Sequence, residues 1–426
     1  MIGRRGRVRA RATRRAGDAL WVVGALSGTS ADGVSACLAR ISGEGASTRA
    51  RVACFRSAAF PAALRARIHR AAAGGLDGPD LLAEVVALDT LLGERFARAI
   101  LALLDDAGRG ADLVGLHGQT LLHAPPRPPA AARAAAGTLQ IGNAAVVAER
   151  TGLPVVSDFR RRDMAVGGEG APLVAILDHA LYAAPGCRRA LLNIGGIANV
   201  TLLPGAGGPA RVRAFDTGPG NMLLDRAVGE ATRGRLAYDR GGRLALAGRP
   251  SRALLARLLR HPFLARPAPK SADRGDFEGA WWERARRAAR RERLPLPDLL
   301  ATLAAFTAEC AARAVARAFD GAPPHELLVS GGGARNRALL AALAARLPAT
   351  RVAPLPDAGE AKEALLFAFL AREHVLGRPG NVPSATGARR PVVLGAFTPA
   401  PLARRRRPAD NRRSRATRER PARRAR

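Results

Sequence analysis

Residues 21–34 read WVVGALSGTSADGV, and residues 189–204 read RALLNIGGIANVTLLP. In the first, an apolar run breaks into a cluster of Gly, Ser and Thr with one Asp, then turns apolar again in GVSACLARI (33–41). Short apolar runs on either side of a glycine-rich break predict two strands joined by a tight turn, with Gly28 and Gly33 supplying backbone freedom. Ser27, Thr29 and Ser30 add hydroxyls and Asp32 a carboxylate. Such a turn suits phosphate oxygens and the magnesium that accompanies them. It is not a Walker-type loop, which opens a helix and carries G-K-[ST]. The second stretch repeats the pattern of strand, glycine turn and strand, so the chain predicts two similarly built α/β domains.

Between and after these hairpins the periodicity changes. DLLAEVVALDTLLGERFARAILALLDDAG (80–108) has apolar residues at helical spacing and Gly108 as a stop. DLVGLHGQT (112–120) reads as a strand, and TLQIGNAAVVAERTGLPVVSDFRRRDMAVGGEGAPLV (138–174) as helix, strand and glycine-rich loop. Two carboxylates, Asp158 and Asp163, follow the strand LPVVS and are both candidates for a cleft-facing base. Asp163 lies beyond Arg160, Arg161 and Arg162, just before GGEG. ELLVSGGGARNRALLAALAARLP (326–348) reads as a strand, a triple glycine and a helix start, where backbone N–H groups favour a phosphate or a polar nucleobase edge.

Composition narrows the class. The chain has 426 residues, 48% of them hydrophobic, with 46 Gly and 30 Pro, which fits an α/β protein with many short connections. About half of the net charge of +33 sits in two arms: residues 1–17 carry seven Arg and no acid, and residues 404–426 carry twelve Arg against Asp410 and Glu419. The arms lack apolar periodicity and are expected to be disordered. They also lack interleaved aromatics, so they offer no base-stacking platform for nucleic acid. Only Lys270 and Lys362 are lysines, which points to compositional drift toward Arg; at Lys270 the retained Lys hints that a guanidinium will not substitute, while Lys362 has no equally clear role. A basic stretch before an apolar one loosely resembles a secretory signal, but cleavage there would destroy the first turn, so a cytoplasmic protein is expected. No run approaches the roughly 18 apolar residues of a membrane helix. Cys37, Cys54, Cys187 and Cys310 form no C-x-x-C pair and read as buried thiols in a reducing compartment. His117 and His123 are six residues apart with no acidic partner, which is not a zinc spacing, so no metal held by protein alone is expected.

Nine segments together carry a resemblance. SGTSADGV (27–34), HGQTLLHAP (117–125), DFRRRDMAVGGEGAPLV (158–174), LNIGGIANVT (192–201), FDTGPGNMLLD (215–225), PKS (269–271), SGGGARN (330–336), EALLFAFLA (363–371) and PSATGARRPVVLG (383–395) resemble, in order, the anhydro-N-acetylmuramic acid kinases of bacterial cell-wall recycling. The likeness runs from about Trp21 to Phe397. It implies a fold of the sugar kinase, actin and heat-shock chaperone ATPase type, with two ribonuclease-H-like α/β domains and a nucleotide cleft between them. The segments expected are a basic arm (1–19), a first domain (20–187), a second, nucleotide-binding domain (188–378), a segment returning to the core (379–402) and a second basic arm (403–426).

The resemblance further implies conversion of 1,6-anhydro-N-acetylmuramic acid, ATP and one water to N-acetylmuramic acid 6-phosphate, with Mg2+ accompanying the ATP. It selects Asp163 as the base that activates water. It assigns Gly28, Thr29, Ser30, Ala31, Asp32, Gly33, Val34 and Ser35, together with Gly195, Gly196, Gly331, Gly332 and Gly333, to the nucleotide, with Asp32 a magnesium contact. It assigns His117, Gln119, Asp216, Gly218, Asn221 and Glu363 to the sugar, and implies a homodimer. This chain departs from the family pattern at Leu26, where Met is usual, at Ser35, where Asp is usual, and at Glu169, where Gln is usual. Glu169 brings a further negative charge close to Asp163. Two other readings stand beside this one: a non-catalytic member binding nucleic acid or the envelope through its arms, and a kinase of the same family acting on another anhydrosugar.

Overall fold

The computed structural model describes residues 19–75, 78–125, 136–268, 270–272, 274–319, 322–356 and 361–402. The basic arms lie outside the described residues, apart from Ala19. Strand β1 (Leu20–Ser27) pairs antiparallel with β2 (Gly33–Ser42), and β2 pairs with β3 (Arg49–Ala59). On its other side β1 runs parallel to β4 (Leu113–Ala124), which runs parallel to β6 (Val155–Ser157). Strand β5 (Gly137–Ile141) folds back on β4, and β12 (Ala396–Thr398) closes the far edge against β6. The second sheet repeats this plan. Strand β7 (Arg189–Ile194) pairs antiparallel with β8 (Ile197–Leu203), which pairs with β9 (Arg213–Pro219). On its other side β7 runs parallel to β10 (Glu326–Ser330), followed by β11 (Arg351–Pro354). Both sheets thus share a five-stranded core of order 3-2-1-4-5 in which only the second strand is reversed, the ribonuclease-H-like topology, duplicated; β5 and β12 are antiparallel additions to the first.

The helices cover both faces. α1 (Ala62–Ala72), α2 (Gly78–Asp106) and α3 (Ala144–Thr151) lie on one face of the first sheet, where Val23, Ala25, Val34 and Leu38 meet Leu88, Phe96, Ile100 and Val147. α4 (Arg161–Ala165) and α5 (Val174–Tyr182) follow β6. In the second domain come α6 (Met222–Ala231), α7 (Arg243–Ala247), α8 (Arg252–Leu258), α9 (Pro262–Ala265), α10 (Gly279–Arg291), α11 (Leu296–Ala318) and α12 (Arg337–Arg346). α6 and α11 fill one face of that sheet against Ala190, Leu192, Ile194, Val200 and Leu202. The last described helices are α13 (Lys362–Val375) and α14 (Pro383–Thr386). The opposite face of the second sheet, at Leu191, Leu203, Val212, Ala214 and Leu328, packs on Ala175 of α5 and on Val382 and Ala385 at α14, which joins the domains.

Several expectations are corrected. The second domain does not extend to residue 378, because α13 lies on the first sheet: its Ala364, Leu365, Ala368 and Ala371 share a core with Val22, Cys37 and Ile41. The chain is therefore back in the first domain by Ala361, and the reason is two glycines. A Cβ on Gly24 of β1 would stand 1.8 Å from the Ala364 carbonyl oxygen, and one on Gly115 of β4 would stand 2.0 Å from that of Phe367. Residues 138–141, read as the start of a helix, are strand β5, whose period-two pairing with β4 overrides the helical look of the sequence that follows. α11 is long and apolar enough to cross a membrane, contrary to the expectation that no run is, but it is mostly buried as the core helix of the second domain. Of the four thiols only Cys37 and Cys310 are buried, and burial pushes Cys37 up to about 12.

The seat of α13 gives a direct test. Gly24→Ala and Gly115→Ala must each displace the α13 backbone, so thermal or urea unfolding should show a loss of roughly 1–3 kcal/mol or more for each. Unchanged stability in both would mean that α13 is not seated on these glycines.

Candidate active site

Asp163 is the most enclosed carboxylate of the cleft, with none of its surface exposed. The chain leaves β6, turns at Asp158 in the left-handed region (φ 59°), a conformation Asp tolerates, and enters α4 with Asp163 in the first turn. The carboxylate accepts hydrogen bonds from three neutral donors. The Gly170 amide donates to Oδ2 at 2.8 Å, while Asn381 Nδ2 at 2.7 Å and the Thr386 hydroxyl at 2.8 Å donate to Oδ1. A Cβ on Gly168 would stand 2.1 Å from Oδ2, so this glycine is required by close approach. Asp158, the other candidate, is half-buried and 3.4 Å from the guanidinium of Arg161.

Beside Asp163 lies a second cluster. Arg160 Nε donates to His117 Nε2 at 3.0 Å and its Nη1 donates to the Gly170 carbonyl at 2.8 Å. With Nε2 accepting, the imidazole proton sits on Nδ1 and is directed to the Gly118 carbonyl at 3.1 Å. Burial, aided by the Arg160 charge, pushes His117 down to about 3. Both ring nitrogens are engaged, so His117 orients Arg160 and has no nitrogen free for a sugar. Gln119 is similarly occupied: its Oε1 accepts from the Ser27 hydroxyl at 2.6 Å and its Nε2 donates to the Thr120 carbonyl at 3.1 Å. Glu363, in the first turn of α13, is open to solvent yet closely surrounded by protein. Desolvation raises its pKa, while the Lys362 and Arg160 charges pull it down.

On the second domain three glycine turns are knit together. The Gly220 amide donates to the Gly196 carbonyl at 2.8 Å, the Asn221 amide to the Gly195 carbonyl at 2.7 Å, and Asn221 Nδ2 to the Ile194 carbonyl at 3.2 Å. Gly331 adopts φ +76°, and a Cβ there would stand 2.7 Å from Asn193 Oδ1. A Cβ on Gly333 would stand 2.4 Å from that of Ile194, while Gly331 and Gly332 remain exposed. Asn336 caps α12 by accepting from the amides of Ala338 and Leu339. Asp216 Oδ2 accepts from the Ala272 amide at 2.8 Å. Burial and the nearby Glu169 carboxylate raise Asp216 to about 6, against the pull of that amide and of Lys270. Glu169 reaches Ser271 in the same loop, and burial together with Asp163 raises its pKa as well.

The structure redistributes some expected roles. In the first turn the left-handed residue is Ala31 (φ 52°), which is buried; Gly28, Thr29 and Ser30 are exposed. Gly33 is needed for strand packing, since a Cβ would stand 2.2 Å from the Ala58 carbonyl oxygen. Val34 lies in the core, and Ser35 faces Ser57 across the β2–β3 ladder at 3.5 Å, so neither belongs to the turn. Asp32 is exposed and paired with Arg65 at 3.0 Å. Gly218 turns toward α11, where a Cβ would stand 3.3 Å from that of Cys310, because the β8–β9 ladder slips between Gly218 and Asp216, and this bulge breaks the alternation that would put both on one face. His117 and His123 lie on one strand, β4, not on a strand and a loop, and among the described residues no group of three His, Cys, Asp or Glu could hold a metal. Four site residues escaped sequence reasoning: Arg160, Asn381, Thr386 and Lys362, whose Nζ lies 2.7 Å from Oδ1 of Asp178.

The family model described as anhydro-N-acetylmuramic acid kinase matches residues 20–400. The anhydro-N-acetylmuramic acid kinase of Gloeobacter violaceus is 43% identical over 394 residues, covering 90% of this chain and 100% of that protein. That of Streptomyces coelicolor is 44% identical over 393 residues, covering 89% and 93%. That of Caldanaerobacter subterraneus subsp. tengcongensis is 39% identical over 386 residues, covering 88% and 96%.

The His117 geometry predicts an NMR result. Nitrogen-resolved spectra should show a neutral ring protonated at Nδ1 down to at least pH 5, since the group titrates at about 3. A midpoint near the ordinary histidine value would mean that Nε2 does not accept from Arg160.

Proposed function

The chain belongs to the anhydro-N-acetylmuramic acid kinase family, and from that membership we propose that it is the ATP-dependent kinase that opens 1,6-anhydro-N-acetylmuramic acid with water and forms N-acetylmuramic acid 6-phosphate. The observation that carries the mechanism is Asp163, a buried carboxylate held by three neutral donors. Among the described residues no cation pairs with it, so its charge is not already neutralised by a salt bridge. Oδ1 accepts from two of these donors and Oδ2 from one, so Oδ2 keeps capacity to accept from a water molecule. In our reading that water attacks the anomeric carbon as its proton passes to Asp163, and the bond from the anomeric carbon to the bridging oxygen breaks. The released oxygen at position 6 takes the γ-phosphoryl group, and the bond to the β-phosphate oxygen breaks to release ADP. One water and one ATP are consumed, and Asp163 carries the proton until it is lost to solvent.

The remaining residues bind and orient. The turn at Gly28, Thr29 and Ser30 and the turn at Gly195 and Gly196 offer backbone N–H groups and hydroxyls for the phosphates, which is most of what phosphoryl transfer requires of a protein. Gly331, Gly332 and Gly333, beside the capped start of α12, allow a nucleotide to approach the backbone. Asp216 and Glu363 face the sugar side, with Glu363 accepting a sugar hydroxyl as a carboxylate and Arg160 set for an anionic group. Magnesium neutralises phosphate charge when it arrives with the nucleotide. Exposed Asp32 is the carboxylate at hand for that ion once it leaves Arg65. The free cysteines support a reducing, cytoplasmic setting.

The test is to incubate the protein with ATP, magnesium and the anhydrosugar and follow ADP and the phosphosugar by mass spectrometry. Asp163→Asn should lose at least ~10²-fold in kcat with little change in ATP affinity, as expected for removal of a general base. Phosphosugar formed at full rate by Asp163→Asn would exclude this role. No product from the native chain with bound ATP would exclude the substrate.

A further inference from the structure

Lys362 opens α13 with 8% of its surface exposed, and the Asp178 it contacts on α5 is 1% exposed. Burying both charges costs several kcal/mol each, which their attraction offsets only when the geometry is good. Such a pair is therefore weak evidence for stability, and its place in the fold matters more. α5 continues from the loop 167–170 that cradles Asp163, and Lys362 immediately precedes Glu363. The pair thus ties the segment carrying the base to the helix carrying the sugar-facing carboxylate. Its chemistry is also selective: the chain has 68 Lys and Arg in total, of which two are Lys. A compact ammonium meets a carboxylate at one point, where a planar guanidinium needs a wider slot.

The charges around Glu363 set the problem this pair solves. Arg160 faces it from α4, backed by neutral His117 on β4, and Lys362 adjoins it on its own helix. On the α5 side the charged group is Asp178, with His179 next to it. We propose that Lys362 and Asp178 are a positioning pair for Glu363: Asp178 draws the ammonium toward α5, which leaves the Glu363 carboxylate directed to the sugar and Arg160. The inference rests on the reading of Glu363 as a sugar-facing residue.

The two halves of the pair act on Glu363 with opposite sign. Removing the ammonium takes away an attraction that lowers the pKa of Glu363, so less of it is ionised at a given pH. Removing the Asp178 charge frees the ammonium to attract Glu363, so more of it is ionised. The experiment measures KM for sugar, KM for ATP, melting temperature and the pH profile of kcat/KM in Lys362→Met, Lys362→Arg and Asp178→Asn. The double variant Lys362→Met with Asp178→Leu is included as an apolar replacement that leaves neither buried charge unpaired, and Glu363→Gln as a reference.

Sugar KM should rise roughly tenfold in each variant of the pair, the scale of one hydrogen bond to a charged group, with ATP KM unchanged. The acidic limb should move to higher pH in Lys362→Met and to lower pH in Asp178→Asn. Lys362→Arg should not rescue. If the limbs move together, if only melting temperature falls, if both KM values change alike, or if Lys362→Arg behaves as native, the pair is structural and the proposal is overturned. If Glu363→Gln leaves sugar KM and the acidic limb unchanged, the reading of Glu363 fails and the proposal falls with it, whatever the pair variants do.

Discussion

The arrangement of the cleft depends on one close contact, the α13 backbone lying directly on β1 and β4. No side chain fits between them at Gly24 or Gly115, where an added Cβ would overlap the Ala364 or Phe367 carbonyl. This contact brings the chain back from the second domain, fixes Lys362 and Glu363 at the start of α13, and starts the last segment on its way to Asp163. That segment then supplies two of the three donors to Asp163, from Asn381 and Thr386, and packs Val382 and Ala385 against the second sheet. A single helix-on-sheet contact therefore positions the donors to Asp163, the start of α13 at Glu363 and the joint between the domains.

A protein of net charge +33 has a cleft rich in carboxylates: Asp163, Glu169, Asp216 and Glu363. Two unit charges 4 Å apart at an effective dielectric of 20 interact by about 4 kcal/mol, so such a cluster must be managed by partners or by protonation. The structure does both. Asp163 is held by neutral donors, Asp216 and Glu169 are raised by burial and by neighbouring carboxylates, and Glu363 is raised by burial against the pull of Lys362 and Arg160. The cations are in turn fixed by His117, Gly170 and Asp178, so few of the many arginines act at the site.

The hairpins at 20–42 and 189–203, the helix after residue 80 and the candidate Asp163 were legible in the sequence. Period-two apolar runs, glycine turns and a carboxylate before GGEG are local signals. What could not be read is non-local. The donors from Asn381 and Thr386 lie more than 200 residues from Asp163, and α13 carries the same apolar periodicity whichever sheet it covers. Local reading also misassigned glycine: Gly33 serves strand packing and Gly218 faces Cys310, because a sequence shows that a Cβ is absent but not what would have met it. Val34 and Ser35 fell inside a motif, yet strand alternation sends one to the core and the other to the β3 ladder.

The central claim is that Asp163 directs a water to the anomeric carbon while the phosphoryl group goes to the bridging oxygen. It is tested most directly by a single turnover in water labelled with heavy oxygen, read by fragment mass spectrometry before the anomeric hydroxyl exchanges with solvent. The account predicts one labelled oxygen, on the anomeric carbon of the phosphosugar, and none in the transferred phosphoryl group. Label in phosphate, or an unlabelled phosphosugar, would contradict it.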